Sequence, residues 1–307
     1  MPHALRFQTA IMPSCAIDEF IRRFRHAETA GFDMATTGDH FCDWTNPSRP
    51  WMEGWTALTA VACNTARIRI AHYVNQMPLR NPAMLARQAL TLDHISGGRL
   101  EVGLGIGLVI DPAYDMIGVP NWTTKERVDR FPNYVEVVDQ LLSNAETTVE
   151  GPYYSAKGAT MYPRPVQSPR PPIVIAALGP KMMRIAAKYA DNWNTLSFAE
   201  DFPAQLAEVK DRVARMRDYL DEAGRSPDDV RFSYQMFDPA SRASGGAITY
   251  YRSDNLFLDM AESLIELGVS ELGPYYPALE DQYPAFERIG QELIPELKRR
   301  HGGPSSH

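Results

Sequence analysis

The chain has 307 residues and a formal net charge of −7 at pH 7, and 44% of its residues are hydrophobic. This composition is ordinary for a globular protein with a sizeable core, and the length suits one large domain or two. The acidic balance and the lack of a basic block argue against nucleic acid as the main partner, and no apolar run is long enough to span a membrane.

Cysteine usage and composition also bound the class of protein. Cys15, Cys42 and Cys63 are widely spaced, which indicates neither a disulfide framework nor a zinc cluster. The N-terminal residues contain no apolar signal core, so a cytoplasmic location is the default expectation. Because no linker or change of composition divides the chain, we expect one domain over residues 1–302 and a short tail at residues 303–307.

Hydrophobic periodicity predicts strands that alternate with helices along the chain. Eight short apolar segments are predicted as strands, at residues 6–10, 33–37, 68–74, 99–104, 173–177, 192–195, 230–236 and 269–272. A segment with helical spacing follows each of them; one example runs from Pro82 to Ser96, with proline in its first turn. Residues 147–167 are rich in Tyr, Gly and Pro and interrupt the alternation, which indicates an inserted hairpin or loop.

Eight strands that each lead into a helix are typical of a TIM barrel. The alternative is a doubly wound open sheet, which usually has fewer strands and a phosphate loop after the first one. Residues 8–13 offer no such loop. We therefore predict an α/β fold, a single (β/α)8 TIM barrel with an insertion.

A glycine-rich segment ends the fourth predicted strand. The segment has glycine at positions 103, 105 and 107, and so lacks side chains there. Glycine at a strand end permits unusual backbone angles or the close approach of a ligand. A dinucleotide fingerprint needs the spacing G-x-G-x-x-G at the start of a helix, whereas the spacing here is G-x-G-x-G and Pro112 follows closely. The segment indicates either a tight strand end or a ligand contact.

Polar residues that follow strands are the candidates for chemistry, because the active site of a TIM barrel lies at the carboxyl ends of its strands. His40 follows the second strand and is the best acid–base candidate, since imidazole titrates near neutral pH and Asp39 beside it could affect its charge. The alternative is that His40 only bonds to loop backbone. A metal site built on Asp39, His40 and His72 is not favoured, because neither H-x-H nor H-E-x-x-H occurs, and no metal is predicted.

Two other features of the strand ends could bind a ligand. Trp44, Trp51 and Trp55 follow His40, and aromatic rings at a barrel mouth can stack on a planar molecule, although Trp55 begins a helix and is expected to pack against the barrel. The segment 178–180 precedes a helix, and the N-terminus of a helix is a ready anion site.

Six motifs occur together in this chain: GDHF at 38–41, EGWTAL at 53–58, LRNPAMLA at 79–86, LDHISGGRL at 92–100, GLGIG at 103–107 and AKYADNWN at 187–194. In this order they resemble the luciferase-like flavin-dependent oxidoreductases, the family of bacterial luciferase and of the deazaflavin-dependent dehydrogenases. The joint occurrence is more specific than any one motif, and the resemblance covers roughly residues 5–200.

The resemblance implies a TIM barrel that binds coenzyme F420 or FMN at the mouth formed by its strand ends. It places the cofactor phosphate at residues 177–179 and the cofactor ring over residues 73–76, where relatives often have a bulge with a nonprolyl cis peptide. The expected cofactor-binding residues come from four strand ends: Tyr73, Val74, Asn75, Gly103, Gly105, Gly107, Ala177, Leu178, Gly179 and Asn194.

The resemblance also implies the catalytic residues. Asp39 and His40 match residues at the reactive edge of the ring in deazaflavin-dependent relatives, and Trp44 lies close in sequence. We expect His40 to donate or accept a proton, Asp39 to orient it and Trp44 to shield the ring.

Two departures from the family pattern affect the expected chemistry. Some dehydrogenases of the family carry an acidic residue directly after the glycine segment, whereas this chain has Leu108 and Val109, which argues against that sugar-phosphate chemistry. The phosphate loop, often Gly-Gly-Gly or Gly-Gly-Pro, reads Leu-Gly-Pro at residues 178–180, which indicates fewer phosphate contacts.

The predicted function is an oxidoreductase that uses a reduced flavin or deazaflavin, F420 rather than FMN, for hydride transfer or monooxygenation of a small organic substrate. The resemblance further implies a homodimer and, for FMN enzymes, a separate flavin reductase, which fits the absence of a nicotinamide motif. The alternatives are a non-catalytic flavin-binding barrel and a metal-dependent barrel hydrolase.

Overall fold

The computed structural model describes residues 3–302, with every side chain in that range except those at 242 and 243. The predicted tail at residues 303–307 lies outside the described residues. The strands are β1 Arg6–Ala10, β2 Met34–Thr37, β3 Arg69–His72, β4 Asn75–Gln76, β5 Leu100–Gly105, β6 Glu146–Val149, β7 Ala156–Thr160, β8 Ile173–Ala176, β9 Asn192–Thr195, β10 Arg231–Gln235 and β11 Glu271–Gly273.

The helices lie between these strands and after the last of them. They are α1 Ile17–Ala30, α2 Gly54–Asn64, α3 Pro82–Ser96, α4 Ala113–Ile117, α5 Thr124–Ser143, α6 Pro180–Tyr189, α7 Phe202–Glu222, α8 Ala240–Ala243, α9 Asp254–Glu266, α10 Tyr283–Arg288 and α11 Ile294–His301. Within residues 3–302, no helix is both long enough and apolar enough to cross a membrane.

Two compact units can be distinguished by the contacts within each. The first comprises Met12–Arg25 and Thr36–Ala176. Strand β5 is its centre: it pairs in parallel with β3, β4 and β8, and all of its residues are buried. Strands β6 and β7 form an antiparallel hairpin, so the predicted insertion is a hairpin.

The second unit comprises the residues up to Ile11, His26–Ala35 and the residues from Ala177 onward. Strand β11 pairs in parallel with β1 and with β10, and β10 pairs in parallel with β9. The core of this unit contains Trp193, which is fully buried and packs edge-to-face on Phe232 with ring centroids 5.2 Å apart.

Along the chain, each parallel strand leads into one or more helices, and β3 with β4 counts as one interrupted strand. This alternation is the (β/α)8 barrel fold, with the β6–β7 hairpin inserted before β8, as the sequence predicts. The predicted third strand differs in detail, since it stops at His72 and resumes at Asn75. The peptide bond between Tyr73 and Val74, inside that interruption, is cis.

Local chemistry explains the helix that leads toward the glycine segment. The Asn81 side chain accepts hydrogen bonds from the N–H groups of Ala83 and Met84, which caps the start of α3, and Pro82 fits its first turn. Gly97 ends the helix in the left-handed region, with φ of 66°. The predicted bounds of this helix are therefore confirmed.

Candidate active site

A histidine and a buried carboxylate meet in the first unit, near the ends of β2 and β5. His40 follows β2 and Asp111 follows β5, and His40 Nδ1 lies 2.7 Å from Asp111 Oδ2. Asp111 is only 2% exposed, whereas the His40 side chain keeps 17% of its exposure. The other Asp111 oxygen, Oδ1, accepts the N–H of Ala113 at 2.9 Å, which fixes the carboxylate against the start of α4.

The electrostatics of Asp111 favour its ionised form. Burial alone would raise the pKa of this carboxyl group, because charge is disfavoured away from water. Hydrogen bonds from His40, from the N–H of Ala113 and from Gln76 outweigh burial and lower the pKa of Asp111. The group facing His40 Nδ1 at neutral pH is therefore a carboxylate.

Gln76, at the end of β4, connects this pair to its surroundings. Its Nε2 donates to the carbonyl oxygen of Asp39 at 2.9 Å and to Asp111 Oδ2 at 3.2 Å, and lies 2.7 Å from His40 Nδ1. Its Oε1 accepts a short hydrogen bond from the Tyr114 hydroxyl. Arg127 Nη1 in turn donates to the Tyr114 oxygen at 3.1 Å.

Asp39 has a different partner from the one expected. Its carboxylate forms a two-pronged ion pair with Arg80, with Nε–Oδ2 of 2.7 Å and Nη2–Oδ1 of 2.6 Å, and Arg80 also bonds to Glu53 at 2.7 Å. Asp39 is 1% exposed. Asp111, and not the neighbouring Asp39, therefore bonds to the ring that Asp39 was expected to orient.

Opposing effects also set the protonation of Glu53 and Arg80. Burial alone would raise the pKa of Glu53, but hydrogen bonds from Thr56 and Arg80 outweigh it and lower the pKa to about 2. Burial alone would lower the pKa of Arg80, but its bonds to Asp39 and Glu53 outweigh that effect and raise it. Glu53 and Arg80 are therefore both charged at neutral pH.

The tryptophans after His40 occupy different surroundings. Trp51 donates from Nε1 to the carbonyl oxygen of His40 at 2.8 Å, and its ring packs edge-to-face on the imidazole at 5.9 Å. Trp55 is buried, as expected for a helix start, and donates to Asn75 Oδ1 at 2.7 Å. Trp44, expected to shield the ring, is half-buried in the loop after His40.

The expected cofactor-binding residues of the first unit lie together around the interruption between β3 and β4. The N–H of Tyr73 donates to Thr37 at 2.9 Å, and Asn75 Nδ2 donates to the carbonyl oxygen of Gly103 at 2.7 Å. A Cβ at Gly103 would overlap the carbonyl oxygen of His72, and one at Gly105 would overlap the side chain of Val74. These two glycines allow the interrupted strand to approach β5 closely.

Glycine is also required at position 107, both for the backbone conformation and for space. Its φ is +72°, and a Cβ there would overlap the hydroxyl of Tyr114. The three glycines of the segment are thus explained by contacts with other parts of the first unit, while their backbone atoms remain candidates for cofactor contact.

A substitution tests this close approach. Gly103→Ala should lower the free energy of unfolding by about 2–3 kcal/mol, because the added methyl group overlaps backbone rather than a movable side chain. Urea unfolding measures the change. Gly179→Ala is the control: its φ is −90° and a Cβ there meets no atom within 4 Å, so about 1 kcal/mol is expected from the lost glycine cap alone. Equal losses in both variants would contradict the steric explanation.

The remaining expected cofactor residues belong to the second unit. Ala177 is buried, and its N–H donates to the carbonyl oxygen of Asn194 at 3.0 Å. The Asn194 side chain donates to Ser233 at 2.9 Å. Leu178 is 36% exposed, and Gly179 is the N-cap of α6, where no side chain caps the helix.

Metal chemistry finds no support in the arrangement of titratable side chains. Between residues 3 and 302, no group of three or more His, Cys, Asp and Glu side chains is placed to hold a metal ion. His72, considered earlier as a ligand, is fully buried with its ring 4.8 Å from that of Trp55, and burial lowers its pKa.

Sequence reasoning missed Asp111 and Arg80 as members of the site. Asp111 lies four residues after the glycine segment, at a strand end, and that position was its only signal. Arg80 stands within a recognised motif but carried no sign of its pairing with Asp39.

Comparison with known proteins identifies the family. The profile of the luciferase-like monooxygenase family matches residues 4–244. The F420-dependent glucose-6-phosphate dehydrogenase of Beutenbergia cavernae is 34% identical over 170 residues, which cover 54% of this chain and 49% of that protein. The enzyme of the same name from Microbacterium testaceum is 31% identical over 205 residues, which cover 66% of this chain and 59% of that protein. The chain thus spans about half to three fifths of the length of these curated relatives.

Solved structures share the fold across nearly the whole chain. The F420-dependent tetrahydromethanopterin reductase of Methanopyrus kandleri superimposes with a TM-score of 0.76 at 21% identity, covering 96% of this chain and 99% of that chain. A monooxygenase from Streptomyces bottropensis gives a TM-score of 0.74 at 21% identity, covering 95% and 100%. Since the family profile also matches most of the sequence, the chain belongs to the luciferase-like monooxygenase family.

Proposed function

We propose that this protein is an oxidoreductase that uses coenzyme F420, in preference to FMN, for hydride transfer or oxygen activation on a small organic substrate. The observation that carries the proposal is the His40 imidazole. Its Nδ1 is held by a buried carboxylate, while Nε2 has no hydrogen-bond partner in the described part of the chain. A held but partly exposed imidazole is suited to moving one proton to or from a ligand.

The residues present fit a phosphorylated cofactor. Helix α6 begins without a side-chain cap, so no capping side chain accepts from the N–H groups of its first turn, which come from Lys181 and Met182 because Pro180 has none. A Cβ at Gly179 would meet no atom within 4 Å, which leaves room for an anion beside these donors. A helix start of this kind favours phosphate. We assign phosphate binding to residues 177–179, ring contacts to residues 73–75 and to the glycine segment, and a further contact to Asn194.

The protein's own residues then divide the work. When bound, a reduced flavin or deazaflavin supplies the hydride or, for flavin, the electrons that activate oxygen. His40 moves a proton at Nε2, and Trp51 packs against its ring. Asp39 holds Arg80 in a buried ion pair next to the His40 backbone, and Trp44 shields the ring of the cofactor. The names of the F420-dependent relatives support the deazaflavin over FMN.

Further parts of the proposal concern partners and location. The reduced cofactor comes from a separate reductase, the protein works as a homodimer, and it acts in the cytoplasm. Cys15, Cys42 and Cys63 are all free thiols, which fits a reducing compartment.

The proposal is tested by titration of the purified protein with F420, FMN and riboflavin, followed by quenching of tryptophan fluorescence. We expect saturable binding of F420, weaker binding of FMN, and binding of riboflavin at least about tenfold weaker than FMN, because riboflavin lacks the phosphate. Equal affinity for FMN and riboflavin would contradict the assigned phosphate site. Binding of none of the three would overturn the proposed function.

A further inference from the structure

We propose that Asp111 is a positioning residue that holds the proton of neutral His40 on Nδ1, so that Nε2 is the atom that accepts a proton from the ligand. This inference rests on the role of His40 proposed above. Asp111 acts through His40, because its carboxylate is buried and is held by His40, by Gln76 and by the N–H of Ala113.

The proton on Nδ1 follows from the chemistry of its neighbours. A carboxylate can only accept hydrogen bonds, so its approach to 2.7 Å requires Nδ1 to be the donor. The Gln76 amide nitrogen, also 2.7 Å from Nδ1, is the competing donor. Its two hydrogens have acceptors at the carbonyl oxygen of Asp39 and at Asp111 Oδ2. Both hydrogens of the Gln76 amide are therefore bonded without using a lone pair of His40 Nδ1 as an acceptor.

Tyr114 and Arg127 fix the orientation of the Gln76 amide. Arg127 donates to the Tyr114 oxygen, because a guanidinium has no acceptor. The Tyr114 hydroxyl hydrogen is then free to bond to Gln76 Oε1. This places the amide nitrogen, and not its oxygen, toward Asp111, and gives the network one direction from Arg127 to the carboxylate.

The Asp111 carboxylate has no competing cation. No Lys or Arg within residues 3–302 contacts it, so the ring donor that faces Oδ2 is His40 Nδ1. The opposite side of the His40 residue is held by Trp51, which bonds to its carbonyl oxygen and packs against its ring. The part of the ring left for a ligand is therefore Nε2.

The tautomer can be measured directly in the wild-type protein. Nitrogen-15 NMR of histidine-labelled protein distinguishes the two neutral tautomers, and the His40 signals among the seven histidines are assigned by their loss in His40→Asn. We expect the neutral ring to carry its proton on Nδ1. A proton on Nε2 in the wild type would overturn the inference, whether or not any variant folds.

Asp111→Asn supplies the second test. The asparagine oxygen can still accept the Ala113 N–H, but its amide nitrogen faces His40 Nδ1 and donates to it, so the proton should move to Nε2. We expect the NMR pattern to invert and kcat to fall by about 10²-fold, with the cofactor Kd changed less than about twofold. Asp115→Asn is the control, since Asp115 is exposed on α4, the short helix that begins two residues after Asp111, and it should change neither the tautomer nor kcat.

The outcomes separate this inference from the proposed function. An unchanged tautomer and an unchanged kcat in Asp111→Asn would overturn the role of Asp111 while leaving cofactor binding intact. Failure of the wild type to bind F420, FMN or riboflavin would overturn the proposed function, and the wild-type tautomer would still decide the role of Asp111.

Discussion

His40→Ala should lower turnover by about 10²–10⁴-fold while the Kd for the cofactor changes little. The range is the usual contribution of a positioned general acid or base. The physical reason is that His40 Nε2 has no hydrogen-bond partner within residues 3–302 and the ring is partly exposed, whereas Asp39 and Asp111 are committed to Arg80 and to His40. Steady-state kinetics with saturating cofactor, beside fluorescence titration, measure the two effects separately.

The matched variant is His40→Asn. An asparagine amide can donate to Asp111 as Nδ1 does, so this change preserves the buried carboxylate's partner while removing the proton-transfer group. We expect the same loss of turnover as in His40→Ala. His94→Ala is the control. His94 lies on helix α3 and bonds to the carbonyl oxygen of Arg164 at 2.7 Å, so the turnover of this variant should stay within about twofold of the wild type. Full turnover in His40→Asn would remove His40 from the mechanism.

Arg80→Met should lower the free energy of unfolding by about 3–5 kcal/mol. The substitution leaves Asp39 buried without its partner, and an uncompensated buried charge is strongly destabilising. Methionine retains most of the aliphatic volume of the arginine, so the loss should report charge rather than packing. Urea unfolding at neutral pH, followed by circular dichroism, gives the value.

A second arginine supplies the comparison for this ion pair. Arg49 pairs with Asp43 at 3.1 Å, but its side chain is 61% exposed, and Arg49→Met should change the stability by less than about 1 kcal/mol. The double variant Asp39→Asn with Arg80→Met should be less destabilised than the sum of the single changes, because the unpaired charge is removed. If the losses of stability in the two single variants simply add up in the double variant, the Asp39 and Arg80 side chains do not stabilise each other.

The order of elements could be predicted because each depends on local chemistry. The alternating apolar segments, the proline at the start of α3 and the glycine that ends it are all written in neighbouring residues. The insertion before β8 was visible as a break in that alternation. The place of His40 after the second predicted strand made it the acid–base candidate, and the family motifs added the expected cofactor, which periodicity alone could not supply.

The partner of His40 could not be predicted in the same way. Asp39 is adjacent in sequence, yet it extends away into its pair with Arg80. Asp111 is 71 residues further along the chain, in an irregular segment with no periodic pattern. That segment is tied at both ends to Arg127, a charged residue of an amphipathic helix that sequence rules would assign to the surface and that is completely buried.

The buried Arg127 has a consequence for how the site meets a ligand. Its guanidinium donates to the carbonyl oxygens of Trp122 and Ile106 and to the side chain of Asn121, so both ends of the segment between β5 and α5 are tied to one helix. Releasing that segment would break these hydrogen bonds and leave the buried guanidinium without partners, which makes local opening costly. The conformational entropy of ordering the Asp111 segment is therefore lost when the chain folds, and little of it remains to oppose binding.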